Sequence, residues 1–465
     1  MKPVALRASS SPVVLALLSV SVAQSAVADW SNLGGNDARN GLVSAVGPTA
    51  PEIRWSGGPT SLIAWNPSIE GDRMFVVRQT GFVPSGVPNE SRVYAISVTT
   101  GQVLWQFSCP FATGDWTTNV YGVKNGRVFV GRGGNGSSSS APVFCLNAAT
   151  GQILWSSAEE VATGAYDGVV FADDGDPIFA TNLYVRRIDA ITGATVWNTP
   201  RSCSVSGDCG PSRSGSSVYV DEVGPGGQKL TRIDIDTGAK LYSSPIMPGF
   251  LSQNTPFCGP NGIVFYPRTQ SNPAVDFMFA WRDTGTAFEL LWSAPALAGA
   301  GSQHGITADG GVVMLSFEGR LQVRDQETGS LLHETPNTVN ATITQSHVAV
   351  DGDGKIFYGN GGFPGTIYSF NPDLTLRWSI PVPNLNQGGP VLAGDGTLIV
   401  AGNSTNLVAY RTEPSCAPAD LDCDGSVGPA DLALLLGAWG TKSADLDGDG
   451  TTASTDLAIL LGAWG

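Results

Sequence analysis

Histidine is scarce in this sequence. Its 465 residues include three, His304, His333 and His347, too few for a multi-histidine zinc centre. Basic charge is short as well: 25 Lys and Arg stand against 40 Asp and Glu, a formal net charge of −15. A protein that grips phosphates needs a concentrated basic surface, so nucleic acid is excluded as a partner. Charged residues of both signs make up only 14% of the chain and hydrophobic ones 42%, which excludes a disordered polyelectrolyte and supplies a large core. Beyond the N-terminal segment no apolar run approaches the roughly 18 residues of a membrane helix. Seven cysteines are present, and no two are adjacent.

The abundant residue is glycine, 59 of 465, with 30 prolines and no collagen-like period. Such glycines are expected in turns between many short strands. Lys2 and Arg7 are the only charges before Asp29, Val13 to Ala23 is apolar, and Ala26-Val27-Ala28 has the form of a cleavage site. Residues 1–28 are therefore expected to be a signal peptide, with the mature chain exported to the cell surface, the medium or the periplasm and carrying no transmembrane segment. Export permits disulfides. Cys203 with Cys209 and Cys416 with Cys423 are the expected pairs; Cys109, Cys145 and Cys258 are left unassigned.

A repeat runs through most of the chain. Tyr94-Ala-Ile-Ser-Val-Thr-Thr-Gly-Gln-Val-Leu-Trp105 returns as Phe144-Cys-Leu-Asn-Ala-Ala-Thr-Gly-Gln-Ile-Leu-Trp155, and five weaker copies follow. Each reads strand, tight turn, strand, and a second hairpin precedes most copies. The residues at the tryptophan position are 55, 105, 155, 197, 242, 292, 333 and 378, spaced by 41 to 50 residues, the length of a propeller blade. Ile53-Arg54-Trp55 has no blade before it, and the hairpin at 398–410 lacks a last strand. The first strand is thus expected to complete the last blade, giving an all-β eight-bladed propeller over 29–411.

The Asp-x-x-Thr-Gly-x-x-x-Trp pattern resembles the pyrroloquinoline-quinone-like repeat family over most of residues 50 to 411. The resemblance implies a propeller that serves either quinoprotein dehydrogenases or non-catalytic proteins such as an outer-membrane assembly lipoprotein. The dehydrogenases place a disulfide between adjacent cysteines over the cofactor. With no Cys-Cys here, the quinone is not expected as a cofactor, and no catalytic residue is assigned. Gln253, Gln303, His304, Gln345 and Gln387 stand near the starts of innermost strands and are expected to line the central channel, a neutral polar site suited to a polysaccharide or protein ligand.

After a linker at 412–418, residues 419–440 repeat as 444–465 with 15 of 22 positions identical. Asp420, Asp422, Asp424 and Asp431 fall at positions 1, 3, 5 and 12 of a calcium loop, and Asp445, Asp447, Asp449 and Asp456 do so again. The backbone carbonyls of Ser426 and Thr451 occupy position 7, and glycine stands at position 6 of both loops. Calcium wants six to eight oxygens, and this spacing delivers them, so about two ions are expected. Each loop leads into one short apolar helix. Two such units in tandem resemble the type I dockerin module. The resemblance implies calcium-dependent docking to a cohesin-like or surface-anchoring partner through positions 10 and 11, Ser454 and Thr455 in the second unit; the first unit departs with Pro429 and Ala430. The function expected overall is a secreted, non-catalytic binding or scaffold protein. The alternatives are a component of extracellular polysaccharide degradation and a quinoprotein dehydrogenase.

Overall fold

The computed structural model describes the chain from Trp30 to Gly465 except residues 81–90, 111–116, 134–138, 164–167, 204–209, 226, 248–254, 272–273, 298–303, 340–346, 403, 406, 413–416 and 424. The N-terminal segment read as a signal peptide lies outside the described residues.

Eight four-stranded antiparallel sheets form the propeller. Blades 1 to 7 span residues 68–108, 117–156, 169–200, 212–243, 257–295, 305–334 and 347–382. Blade 8 combines Val391–Leu392, Leu398–Ala401 and Leu407–Tyr410 with Ile53–Gly57, which pairs with the last of them through Ile53↔Tyr410 and Trp55↔Ala409. The closure expected from the orphan first strand is therefore present. Blade 2 carries an added two-stranded ribbon, Ser139–Ala141 with Val161–Thr163. Among the described residues no helix is long and apolar enough to cross a membrane.

The repeated motif is explained by how adjacent blades touch. The Trp105 indole lies against Gly151 in the next blade, where a Cβ would come within 2.7 Å of the ring. Its Nε1–H donates to Ala148 O at 3.0 Å in the same turn. Trp55 does this to Gly101 and Val98, Trp155 to Gly193 and Ala190, Trp197 to Gly238 and Ile235, and Trp292 to Gly329 and Gln326. The glycine thus serves twice: it takes the positive φ of the turn (71° at Gly151) and leaves a flat seat for the indole. At one seam tryptophan and glycine are both replaced. Where His333 replaces the ring, Leu374 takes the positive-φ position of the following blade and fills the seam itself. Where Tyr242 replaces it, Phe288 packs edge-on at 5.4 Å.

Every outermost strand also carries a bulge that the sequence did not reveal. The pairing skips one residue immediately before the tryptophan position, at Arg54, Leu104, Leu154, Val196, Leu241, Leu291, Leu332 and Arg377. A bulge adds local twist and re-aims the following side chain, which here turns the ring toward the neighbouring blade.

The C-terminal repeats form helices α1 (Pro429–Gly437) and α2 (Ser454–Gly462). Their small core, built on Leu435 and Leu460 with Ala419, Val427 and Ala444, contains tail residues alone. The two units are crossed: Gly440 N donates to Thr452 O of the second loop, and Gly465 N to Val427 O of the first.

Candidate functional site: the axial cavity and the acidic loops

Residues 30–47 contain no long strand, and sequence reasoning gave them no role. In the structure they form a strap that visits the innermost strand of each blade in turn. Trp30 O accepts from Ile69 N of blade 1, and Ser31 O from Val123 N of blade 2. Asn32 Nδ2 donates to Val169 O, and Asp37 accepts from Phe171 N of blade 3 with its side chain and from Arg213 N of blade 4 with its carbonyl. Ala38 O takes Cys258 N of blade 5, Asn40 O takes Ile306 N of blade 6, and Gly41 and Val43 exchange bonds with Val350 of blade 7. The backbone of Val46 then lies against Gly396 in blade 8. Gly41 is required where it stands, since a Cβ there would meet Val348 O at 2.5 Å. The strap thus runs round the ring of inner strands, bonded to each in turn.

On the other side of the strap, toward the strand starts of blades 1 and 2, lies a small cavity of about 40 Å³. Among the described residues its lining is uncharged: Asn66, Asn119, Thr118 and Gln387 supply polar groups, Trp65 and Tyr121 supply rings, and Leu33 comes from the strap. Of the five channel residues expected from sequence, Gln387 is buried and lines this cavity. Gln253, Gln303 and Gln345 lie outside the described residues. His304 is buried against the Phe257 ring at 5.5 Å, away from the lining. The residue that sequence reasoning missed is Asn66, whose amide meets His347 Nδ1 at 2.8 Å across 281 residues of chain. No local pattern could signal a pair so distant. His347 Nε2, Asn66 Oδ1 and His304 Nε2 have no hydrogen-bond partner among the described residues.

Burial holds both imidazoles neutral, with the pKa pushed down to about 4 at His304 and about 3 at His347. An unfolded chain binds these protons near pH 6.5, whereas the folded one refuses them. Their contribution is thus complete above pH 6.5 and is lost as the pH falls toward 4, by about 3 kcal/mol per histidine at most. Urea unfolding at pH 7.5 and 4.5 should show this loss. His304→Asn should flatten the slope between the two values, even if it lowers stability at both.

In the tail, carboxylate oxygens of Asp420, Asp422 and Asp431 lie within 4.8 Å of one another, as do those of Asp445, Asp447 and Asp449. Asp424 lies outside the described residues. Position 1 accepts from the position-6 glycine in both loops, Gly425 N to Asp420 Oδ2 at 3.0 Å and Gly450 N to Asp445 Oδ2 at 2.7 Å, which winds each loop round its carboxylates. Asp431 takes the N–H groups of Leu421, Asp422 and Gly428, and Asp456 takes those of Leu446, Asp447 and Ala453. The Gly428 N–H, then those of Asp422 and Leu421, hold the Asp431 carboxyl below its usual range; Ala453, Asp447 and Leu446 do so for Asp456. These convergent hard oxygens suit a calcium-sized cation, with the position-7 residues Ser426 and Thr451 at the exposed side of the loops. Ser454 and Thr455 are exposed on the first turn of α2. Cys423 is disulfide-bonded; its expected partner Cys416 lies outside the described residues. Cys203 is a buried thiol with Sγ 3.8 Å from Asp221 Oδ2, and Cys209 lies outside the described residues.

Eight blades, a repeated indole-on-glycine seam and a closing first strand define a PQQ-like repeat propeller. The family model described as outer membrane protein assembly factor BamB matches residues 89–330, just over half the chain, and the chain belongs to that family. No curated protein matches the sequence. Among solved structures, BamB from Moraxella catarrhalis is similar at TM-score 0.53 and 14% identity, covering 76% of this chain and 98% of that one. The quinohemoprotein alcohol dehydrogenase from Comamonas testosteroni is similar at TM-score 0.54 and 12% identity, covering 89% and 87%. The computationally designed Ika8 protein is similar at TM-score 0.53 and 14% identity, covering 78% and 100%. At these identities the likeness is one of fold.

Proposed function

We propose that this is an exported, non-catalytic scaffold protein of the cell envelope or its exterior. Its propeller recognises a polymer or protein ligand, and its C-terminal module docks through calcium onto a cohesin-like or surface-anchoring partner. The observation that carries the reading is the twofold occurrence of a wound loop with three carboxylates converging within 4.8 Å, in a module with its own core. Membership of an assembly-factor family supports a binding role for the disc, and the similarity to BamB supports an envelope context. Exposed Leu434, Leu436 and Trp439 on the first unit, matched by Ile459, Leu461 and Trp464 on the second, supply apolar surface for docking beside Ser454 and Thr455.

The test is retention of the purified chain on a cell-envelope preparation from its source, with calcium and with chelator. Calcium-dependent retention that is abolished in an Asp445→Asn, Asp447→Asn double variant is the expected result. Whatever stays bound in chelator reports the disc alone. Retention indifferent to calcium and to the variant would refute docking through the tail.

A further inference from the structure

The two tail units differ at seven of 22 aligned positions, and six of the seven lie within the loops. At position 4 the first loop has Cys423 and the second Gly448, both left-handed, at φ 63° and 79°. A glycine enters that region freely and leaves it as freely, whereas other residues seldom stay there. Cys423 is disulfide-bonded. Cys109, Cys145, Cys203 and Cys258 are buried thiols, and Cys416, the expected partner, stands seven residues before Cys423. A bridge over so short a span removes conformations that the ion-free loop would otherwise visit. At its first helical position α1 has Pro429, whose ring fixes φ, where α2 has Ser454.

The carboxylates are gathered differently as well. In the first loop, oxygens of positions 1, 3 and 12 converge within 4.8 Å, with Asp420 and Asp431 buried. That group spans the loop from its start to the helix that follows. In the second loop the converging group is positions 1, 3 and 5, and none of Asp445, Asp447 and Asp449 is buried. The crossed bonds then give the second unit something to settle on. A wound first unit presents Val427 O to Gly465 N, and Gly440 N to Thr452 O.

We propose that the two calcium sites are unequal. The first loop, preset by the Cys423 bridge and Pro429, is the nucleating site; the second, which leads into Ser454 and Thr455, winds upon it. This rests on the reading of the tail as a calcium-dependent docking module and gives the order in which that module assembles. Opening the bridge therefore disables a docking pair that it does not touch. A dithiol reductant does so, leaving two thiols as it closes to a disulfide itself.

The experiment is calorimetric calcium titration of a 414–465 fragment, whose core contains tail residues alone, in two single-site forms. Asp445→Asn with Asp447→Asn leaves the first site, and Asp420→Asn with Asp422→Asn leaves the second. The Gly425 and Gly450 amide resonances, each hydrogen-bonded to its own position-1 side chain, report which loop fills. The first site alone is expected to bind its ion at least about tenfold more tightly than the second alone. Opening the bridge with dithiothreitol, or by Cys416→Thr with Cys423→Gly, brings the first site to within about threefold of the second. Affinities already that close with the bridge intact, a tighter second site, or a first site indifferent to the bridge overturns the hierarchy. So does a parent fragment that binds calcium when neither single-site form does. A parent fragment that takes up no calcium overturns the docking-module reading as well.

Discussion

A chain beginning at Gly58, without the strap and the closing strand, is expected to elute as aggregate and to lose cooperative unfolding. Two closures disappear in that variant. At the rim, Leu407–Tyr410 loses its partner Ile53–Gly57, and Gly101 loses the Trp55 indole that joins blade 8 to blade 1. At the axis, inner-strand amides such as Ile69, Val123, Cys258 and Ile306 lose the carbonyls of the strap. Each buried group left unpaired costs about 1–3 kcal/mol, so several together rival the whole stability of an ordinary domain. A milder variant separates the effects. Trp30 is fully buried beneath blade 1, and Trp30→Ala should cost about 3–5 kcal/mol while leaving the rim closed. Calorimetry and size-exclusion chromatography on both variants check this. A Gly58 chain that is monomeric and melts like the parent would show that neither closure matters.

Calcium should produce the second large effect. The tail repeats have a core of their own, so a 414–465 fragment that keeps Cys416 with Cys423 can be studied alone. In chelator the six clustered carboxylates repel one another, and helix content should be low; calcium should restore α1 and α2 with about two ions bound. Asp445→Asn with Asp447→Asn should remove one ion. The crossed bonds Gly440 to Thr452 and Gly465 to Val427 tie each loop to the end of the other unit's helix. The remaining site should therefore weaken by at least about tenfold rather than stay unchanged. Circular dichroism and calorimetric titration measure both quantities, and a calcium-blind spectrum would remove the ion from the account.

The blades could be counted from sequence because the indole and its glycine seat recur at five seams and Tyr242, His333 and Trp378 keep the same spacing at the others. The lone Ile53-Arg54-Trp55 could be assigned to the last blade because its tryptophan belonged to the same series. The strap could not be read. It binds through scattered amides and carbonyls, and a segment that follows a circle of inner strands has neither a two-residue nor a 3.6-residue period. The bulges were equally hidden, since the skipped residue is Arg54 in one blade and Leu104 or Val196 in others. At the cavity, Gln387 was visible as one of several similar strand starts, whereas Asn66 acquired meaning only when the ring brought blade 7 near blade 1. The acidic loops lay at the opposite extreme. Their acids lie within a dozen residues of one another, and spacing alone placed the carboxylates that the fold gathers.

The eightfold bulge has a consequence for assembly. A free sheet margin offers a row of unpaired amides and carbonyls on which a foreign strand can grow. Here every such margin is interrupted just ahead of the tryptophan position, so an incoming strand would lose register within a few residues. The circumference is therefore a poor template for fibrils or for lateral joining of discs. Crowded copies would therefore resist fusing side to side through their blade margins.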